Sequence, residues 1–186
     1  MRREYASLRR RPFLTPLWIL SLVAILAFAA GAWAFSVATT TLVLVVRPAD
    51  KASDGTDDPP LSPAGVERAA RLARLLGPGP GPGIDVIFVS QYRRSLATAQ
   101  PLASARGVPV ITVPDNDLGA LEKRIAHDFG GKRVLVVAHS DTVPKLVEDL
   151  GEGGRVAGLD ANDYGTAYLI AMPRFGRPTV LRLTLP

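Results

Sequence analysis

A chain of 186 residues with 22 basic and 17 acidic side chains, 47% apolar residues and no cysteine has room for one ordinary domain with a sizeable core. The lack of cysteine excludes disulfides and thiolate metal sites. The net charge of +5 is local: residues 1–12 hold five arginines and one glutamate, leaving 17 basic against 16 acidic residues elsewhere, so it marks a charged N-terminus and not a nucleic-acid surface.

Arg2, Arg3, Arg9, Arg10 and Arg11 precede an uncharged run from Pro12 to Val46. Its first part, Pro16 to Phe35, is 20 residues rich in Ala, Leu and Trp. As a helix it would span roughly 30 Å, the thickness of a bilayer core. The chain therefore divides into a basic cytoplasmic stretch 1–12, a transmembrane segment 13–36 and a domain 37–186. Arginines ahead of the segment, and only Arg47 soon after it, predict a single-pass protein with its N-terminus cytoplasmic and its domain on the extracytoplasmic (periplasmic) side. Ala32-Trp33-Ala34 also fits a small-x-small cleavage site. The segment reads as a signal anchor or, if cut after Ala34, as a signal peptide.

Beyond Phe35 the composition shifts to Val and Thr, and Leu42 to Val46 is a run of five apolar residues suited to a buried parallel strand. It stops at Arg47, and Pro48 has no N–H with which to continue a ladder. Asp50 to Pro60 is polar and turn-rich, a solvated loop whose acidic residues could alternatively face a ligand. Ser62 as N-cap and Pro63 at the first helical position open a helix over Pro63–Leu76 with an apolar stripe at Val66, Ala69, Ala70, Ala73 and Leu76. Arg68, Arg71 and Arg74 lie off that stripe as a solvated face. A Gly-Pro connector, 77–83, leads into a strand over Ile84–Val89.

The next helix starts near Gln91, and Pro101 should kink or shorten it. A strand over Val108–Val113 precedes a helix capped by Asp117, with Leu118, Leu121, Ile125 and Phe129 as its apolar stripe. His127 on that helix reads as a surface or boundary residue. A strand over Val134–Ala138 delivers His139, a helix over Thr142–Leu150 follows, and strands over Tyr164–Ala171 and Thr179–Leu185 form a hairpin. Alternating strands and helices closing on a hairpin give an α/β sandwich, mostly parallel with an antiparallel element. Charged residues at the C-terminal ends of buried strands are the layout of an α/β ligand site.

Three of these strand ends carry a resemblance. Val46-Arg47-Pro48-Ala49-Asp50-Lys51, then Ser90-Gln-Tyr-Arg-Arg94-Ser-Leu-Ala-Thr98-Ala99, then Val136-Val-Ala-His139-Ser140 resemble, in order, the motifs of the histidine phosphatase (phosphoglycerate mutase-like) superfamily, in its short phosphohistidine-phosphatase-like branch. Asp57 to Gly65 is similar to its linker into the first helix. The resemblance covers roughly Thr40 to Pro186 and implies a three-layer sandwich with a mostly parallel central sheet. It implies Arg47, Arg94 and His139 as catalytic and phosphate-binding residues, with Arg93 in reserve for Arg94. No cofactor or metal is implied.

One departure stands out: where the family has its nucleophilic His, this chain has Pro48. Two guanidiniums and an imidazole suit a phosphate dianion, but phosphoryl transfer to the protein needs a nucleophile in line with the leaving oxygen. Asp115 and Asp117 are the nearest candidates for the acid. The expectation is a membrane-anchored pseudophosphatase that binds a phosphorylated small molecule or phosphoprotein, with no nucleic-acid partner. The alternative is an active phosphomonoesterase or phosphohistidine phosphatase with a non-standard nucleophile.

Overall fold

The computed structural model describes residues 17–79, 83–153 and 163–185. The basic stretch 1–12 and part of the Gly-Pro connector lie outside them. The chain forms two compact units, residues 1–35 and 36–186. Helix α1 (Leu17–Ala38) contains an apolar stretch, Trp18–Ser36, long enough to cross a membrane. Ser21 and Ser36 are its polar residues, and every side chain from Trp18 to Phe35 is exposed, which is not the burial of a core helix.

Residues 36–186 are built on a six-stranded sheet of β1 (Thr41–Val46), β2 (Val86–Val89), β3 (Val110–Thr112), β4 (Arg133–Val137), β5 (Thr166–Met172) and β6 (Thr179–Thr184), in the order β3-β2-β4-β1-β5-β6. β1 pairs with β4 in parallel, β4 with β2, and β2 with β3. β5 runs antiparallel to β1, and β6 to β5. The strands begin or end within a residue or two of the sequence expectation, with one consequence: Asp85 and Tyr164 lie ahead of β2 and β5 instead of inside them.

Burial alternates along the strands and separates two cores. Val43, Val45, Phe88 and Val136 face α4 (Leu118–Asp128) and α5 (Val143–Leu150), while Leu44, Val46, Ile87 and Val137 face α2 (Pro63–Leu76) and α3 (Arg93–Arg106). The domain is therefore a three-layer α/β sandwich. Asp117 caps α4 by accepting from the Ala120 N–H, and Phe129 meets Phe88 edge to face at 5.4 Å.

Three local expectations need correction. Of the two outcomes expected at Pro101, a kink or a shortened helix, the shortening does not occur: α3 runs on to Arg106 and ends at Gly107 in the left-handed region (φ 65°). Pro101 forfeits one backbone bond, but Ala99, Leu102 and Ala103 are buried around it and that packing holds the helix. The buried face of α2 is Gly65, Ala69, Leu72 and Ala73, with Val66 turned outward. The rotation follows from Gly65, where a Cβ would stand 2.2 Å from the Asp50 carbonyl oxygen, so only glycine lets the helix approach the loop after β1 so closely. Arg68 is not merely solvated: its Nε lies 2.8 Å from Asp50 Oδ2.

Candidate functional site

Parallel pairing places the C-terminal ends of β2, β4 and β1 side by side, so Ser90, His139 and Arg47 arrive at one edge of the sheet. Because β5 runs antiparallel to β1, with Val46 opposite Ala167, the residues just before β5 reach the same edge. A cleft of about 270 Å³ opens there, lined by Arg47, Pro48, Ala49, Lys51, Arg94, His139, Ser140 and Tyr164. Arg47, Arg94 and His139 thus share one cleft, with Pro48 among them. Arg93 is exposed and lies outside it, beside Leu96 and Gln100.

Each group is held by its neighbours. The loop after β1 folds back on itself: Ser62 N donates to the Asp50 carbonyl and Ala52 N to that of Pro60, both at 2.8 Å. The buried Ala49 N–H donates to Thr98 Oγ1 on α3 at 2.9 Å, and that hydroxyl donates to the Arg94 carbonyl at 2.7 Å. One threonine therefore ties the Pro48 segment to the turn of helix that carries Arg94. Arg47 donates from Nη1 to the Asp163 carbonyl at 2.6 Å and lies 4.8 Å over the Tyr164 ring. Both Asp58 oxygens accept from the Arg93 N–H at the start of α3, and Asp58 Oδ1 is 3.8 Å from Arg94 Nη1.

His139 is 9% exposed. Its Nε2 is 2.7 Å from Ser90 Oγ, which is 2.6 Å from Ser95 Oγ, and its Nδ1 is 3.3 Å from Arg94 Nη2. A guanidinium only donates, so Nδ1 must accept and the proton of the neutral ring sits on Nε2, donated to Ser90. The Tyr92 ring packs edge-on against the imidazole at 4.9 Å. Burial first, then the charge of Arg94, hold His139 below its ordinary value near 6.5, with Arg47 pushing the same way and Asp141 and Asp115 opposing.

No carboxylate lines the cleft among the described residues. Asp117 is occupied as a helix cap, and Asp115 exchanges two bonds with the Gln91 amide, at 2.8 and 3.0 Å. The expected loop of solvated acids instead directs Asp50 and Asp58 onto arginines and turns Lys51 into the cleft. Lys51 and Tyr164 were not anticipated. Tyr164 was legible in principle, since any residue just ahead of a strand antiparallel to β1 must sit beside Arg47. His127 is exposed near the end of α4, away from the cleft. Among the described residues no group of His, Asp and Glu could hold a metal ion.

A sequence model described as the histidine phosphatase superfamily (branch 1) matches residues 45–117, which include Arg47, Pro48 and Arg94. The structure superposes on that of the protein histidine phosphatase SixA complexed with tungstate, at a TM-score of 0.61 and 22% identity, over 77% of this chain and 96% of that one. The domain has the histidine phosphatase fold. Two more phosphatases superpose on the same domain. A mycobacterial glucosyl-3-phosphoglycerate phosphatase does so at a TM-score of 0.57 and 14% identity, covering 80% of this chain and 99% of its own. A phosphoserine phosphatase from Entamoeba histolytica, in complex with 3-phosphoglyceric acid, does so at 0.58 and 16%, covering 78% and 98%. No curated protein matches the chain in sequence.

Proposed function

We propose that the domain binds the phosphate of a phosphorylated small molecule or phosphoprotein and lacks the covalent step of its relatives. The observation that carries this reading is the composition of the cleft: Arg47, Lys51 and Arg94 converge there with His139, no carboxylate among the described residues shares the lining, and Pro48 stands at the end of β1. Guanidinium forks and a lysine suit a dianion. A proline offers neither a ring nitrogen to attack phosphorus nor an N–H to steady an equatorial oxygen. His139 belongs beside a bound phosphate, with one ring nitrogen already committed to Ser90. The solved relative with bound tungstate supports an oxyanion in a fold of this type.

The deciding experiment follows turnover of an aryl phosphate by the purified protein beside oxyanion-induced stabilisation. Tungstate or sulfate at 100 times Kd should stabilise the domain by roughly 2.7 kcal/mol. Arg94→Ala should abolish that gain, and turnover should match the Arg94→Ala background. Turnover well above that background would instead establish the phosphomonoesterase with a non-standard nucleophile.

The same reading holds the domain at a membrane through α1, with the N-terminus cytoplasmic. Protease outside sealed cells or spheroplasts should remove the domain, whereas protease reaching only the cytoplasmic face should leave it intact. A mature N-terminus at Phe35 would identify a cleaved signal peptide instead.

A further inference from the structure

The end of the domain opposite the cleft carries a second surface. Thr41 opens β1 and pairs with Met172, the last residue of β5, so the hairpin loop 173–178 lies beside the point where the chain enters the domain. That loop reads Pro-Arg-Phe-Gly-Arg-Pro. Phe175 is 69% exposed at its tip, Arg174 and Arg177 are exposed on either side, and Gly176 takes a positive φ of 111° that lets so short a loop turn. Lys132, just before β4 and bonded through its carbonyl to Leu42, is exposed on the same end. Among the described residues no carboxylate lies within ion-pair distance of Lys132, Arg174 or Arg177, whereas Arg68, Arg94, Arg124, Arg133 and Arg182 each have one.

An exposed aromatic ring between two arginines, with another cation nearby, matches a bilayer interface: the ring enters the headgroup layer while the cations meet anionic headgroups. Chain connectivity supplies the independent argument. The apolar stretch ends at Ser36 and β1 begins at Thr41, and four intervening residues reach at most about 15 Å. Thr39 and Thr40 shorten even that, since both hydroxyls donate back to the Ser36 carbonyl. A tether of that length bounds how far Thr41 can stand from the end of the apolar stretch. We infer that the loop around Phe175, with Lys132, docks on an anionic bilayer surface, leaving the cleft at the other end of β1 open to solution. This inference rests on the reading that α1 stays in the membrane.

The chain has no cysteine, so a single introduced one can be labelled without background. The full chain bearing Phe175→Cys, or Ser53→Cys in the loop beside the cleft, would be labelled with an environment-sensitive fluorophore. Each would be placed in vesicles of phosphatidylcholine with or without phosphatidylglycerol, and membrane integration read separately by resistance to alkaline extraction. The expected result is a blue-shifted label at position 175, quenched by lipid-borne spin labels and more strongly so with phosphatidylglycerol, beside a water-like, unquenched label at 53. Adding Arg174→Gln or Arg177→Gln should each lower the docked-to-undocked ratio about fivefold in anionic vesicles. An integrated protein whose label at 175 is as wet and unquenched as that at 53 overturns the docking. Extraction at alkaline pH overturns the anchored reading itself, and the docking with it.

Discussion

Arg94 and His139 meet in the wall of the cleft with Nη2 3.3 Å from Nδ1, a cation facing the lone pair of a neutral ring. A dianion would draw the guanidinium to itself and favour a proton on Nδ1, so that His139 becomes a second donor. Binding should therefore take up a proton.

The sign follows from the lowered titration of His139, caused by burial and then Arg94, with Arg47 adding and Asp141 and Asp115 opposing. Without ligand, the neutral ring's contribution to stability is present above its ordinary value near 6.5 and is lost as pH falls through the depressed folded value. With ligand, affinity should rise as pH falls toward and below the ordinary imidazole value near 6.5. Sulfate is the right probe because its own charge is constant there. Calorimetry in two buffers of different ionisation heat should show proton uptake in the native protein and none in His139→Gln. A pH-independent affinity without uptake would mean that His139 does not face the bound anion.

Thr98 is the next test, because its hydroxyl links the two arginine-bearing segments. Thr98→Val keeps the shape of the buried side chain but leaves the Ala49 N–H without its acceptor, at a cost of about 1–3 kcal/mol. Urea denaturation should show that loss, and Thr98→Ser should recover most of it. Oxyanion affinity should fall in Thr98→Val and return in Thr98→Ser, because the loop carrying Arg47 and Lys51 is what the bond restrains. A destabilised Thr98→Val with unchanged affinity would confine the bond to stability.

Gly65 supports the same loop from the other side. A methyl group there would stand 2.2 Å from a backbone carbonyl that also accepts from Ser62 N, so nothing flexible can yield. Gly65→Ala should destabilise the domain by about 1–3 kcal/mol in urea. Gly119→Ala, on α4 with nothing within 4 Å of its Cβ position, should be neutral or slightly stabilising.

Much of this arrangement could be read from residue order. The apolar runs ending in Arg47, Ser90 and His139 specify parallel strands, and parallel pairing alone brings their ends together. Arg94 faces the cleft and Arg93 does not, as the spacing of the second motif implied, since neighbours on a helix diverge by about 100°. What escaped the sequence are pairings between distant segments. Asp50 with Arg68 and Asp58 with Arg94 turn a loop that reads as solvated into part of the scaffold. Tyr164 was hidden by a strand boundary two residues off, and the burial of α2 by a glycine whose role depends on a carbonyl fifteen residues away. Pro101 does not end α3 because the buried Ala99, Leu102 and Ala103 around it oppose its local penalty.

Pro48 carries the sharpest prediction. Pro48→His should create or greatly increase phosphomonoesterase activity, because Arg47, Arg94 and His139 already line the cleft in which the new imidazole would stand. The substitution also restores a backbone N–H that can hold a phosphate oxygen. Its cost should be modest, on the order of 1 kcal/mol of lost chain stiffening, since a strand-to-loop junction does not require proline. The phosphoenzyme formed should be acid-labile and base-stable, as a phosphorylated imidazole is, and adding Arg94→Ala or His139→Ala should remove it. The ester oxygen leaves as phosphorus bonds to the imidazole nitrogen, and water then takes the phosphoryl group and frees the ring. With no carboxylate among the described residues lining the cleft, protonation of the leaving group falls to solvent, so aryl phosphates should turn over much faster than alkyl ones. If Pro48→His folds and binds oxyanions yet forms no phosphoenzyme, the cleft has diverged at more than this position. If the unaltered chain already matches its rate, Pro48 is not what separates it from its relatives, and the binding-only reading falls.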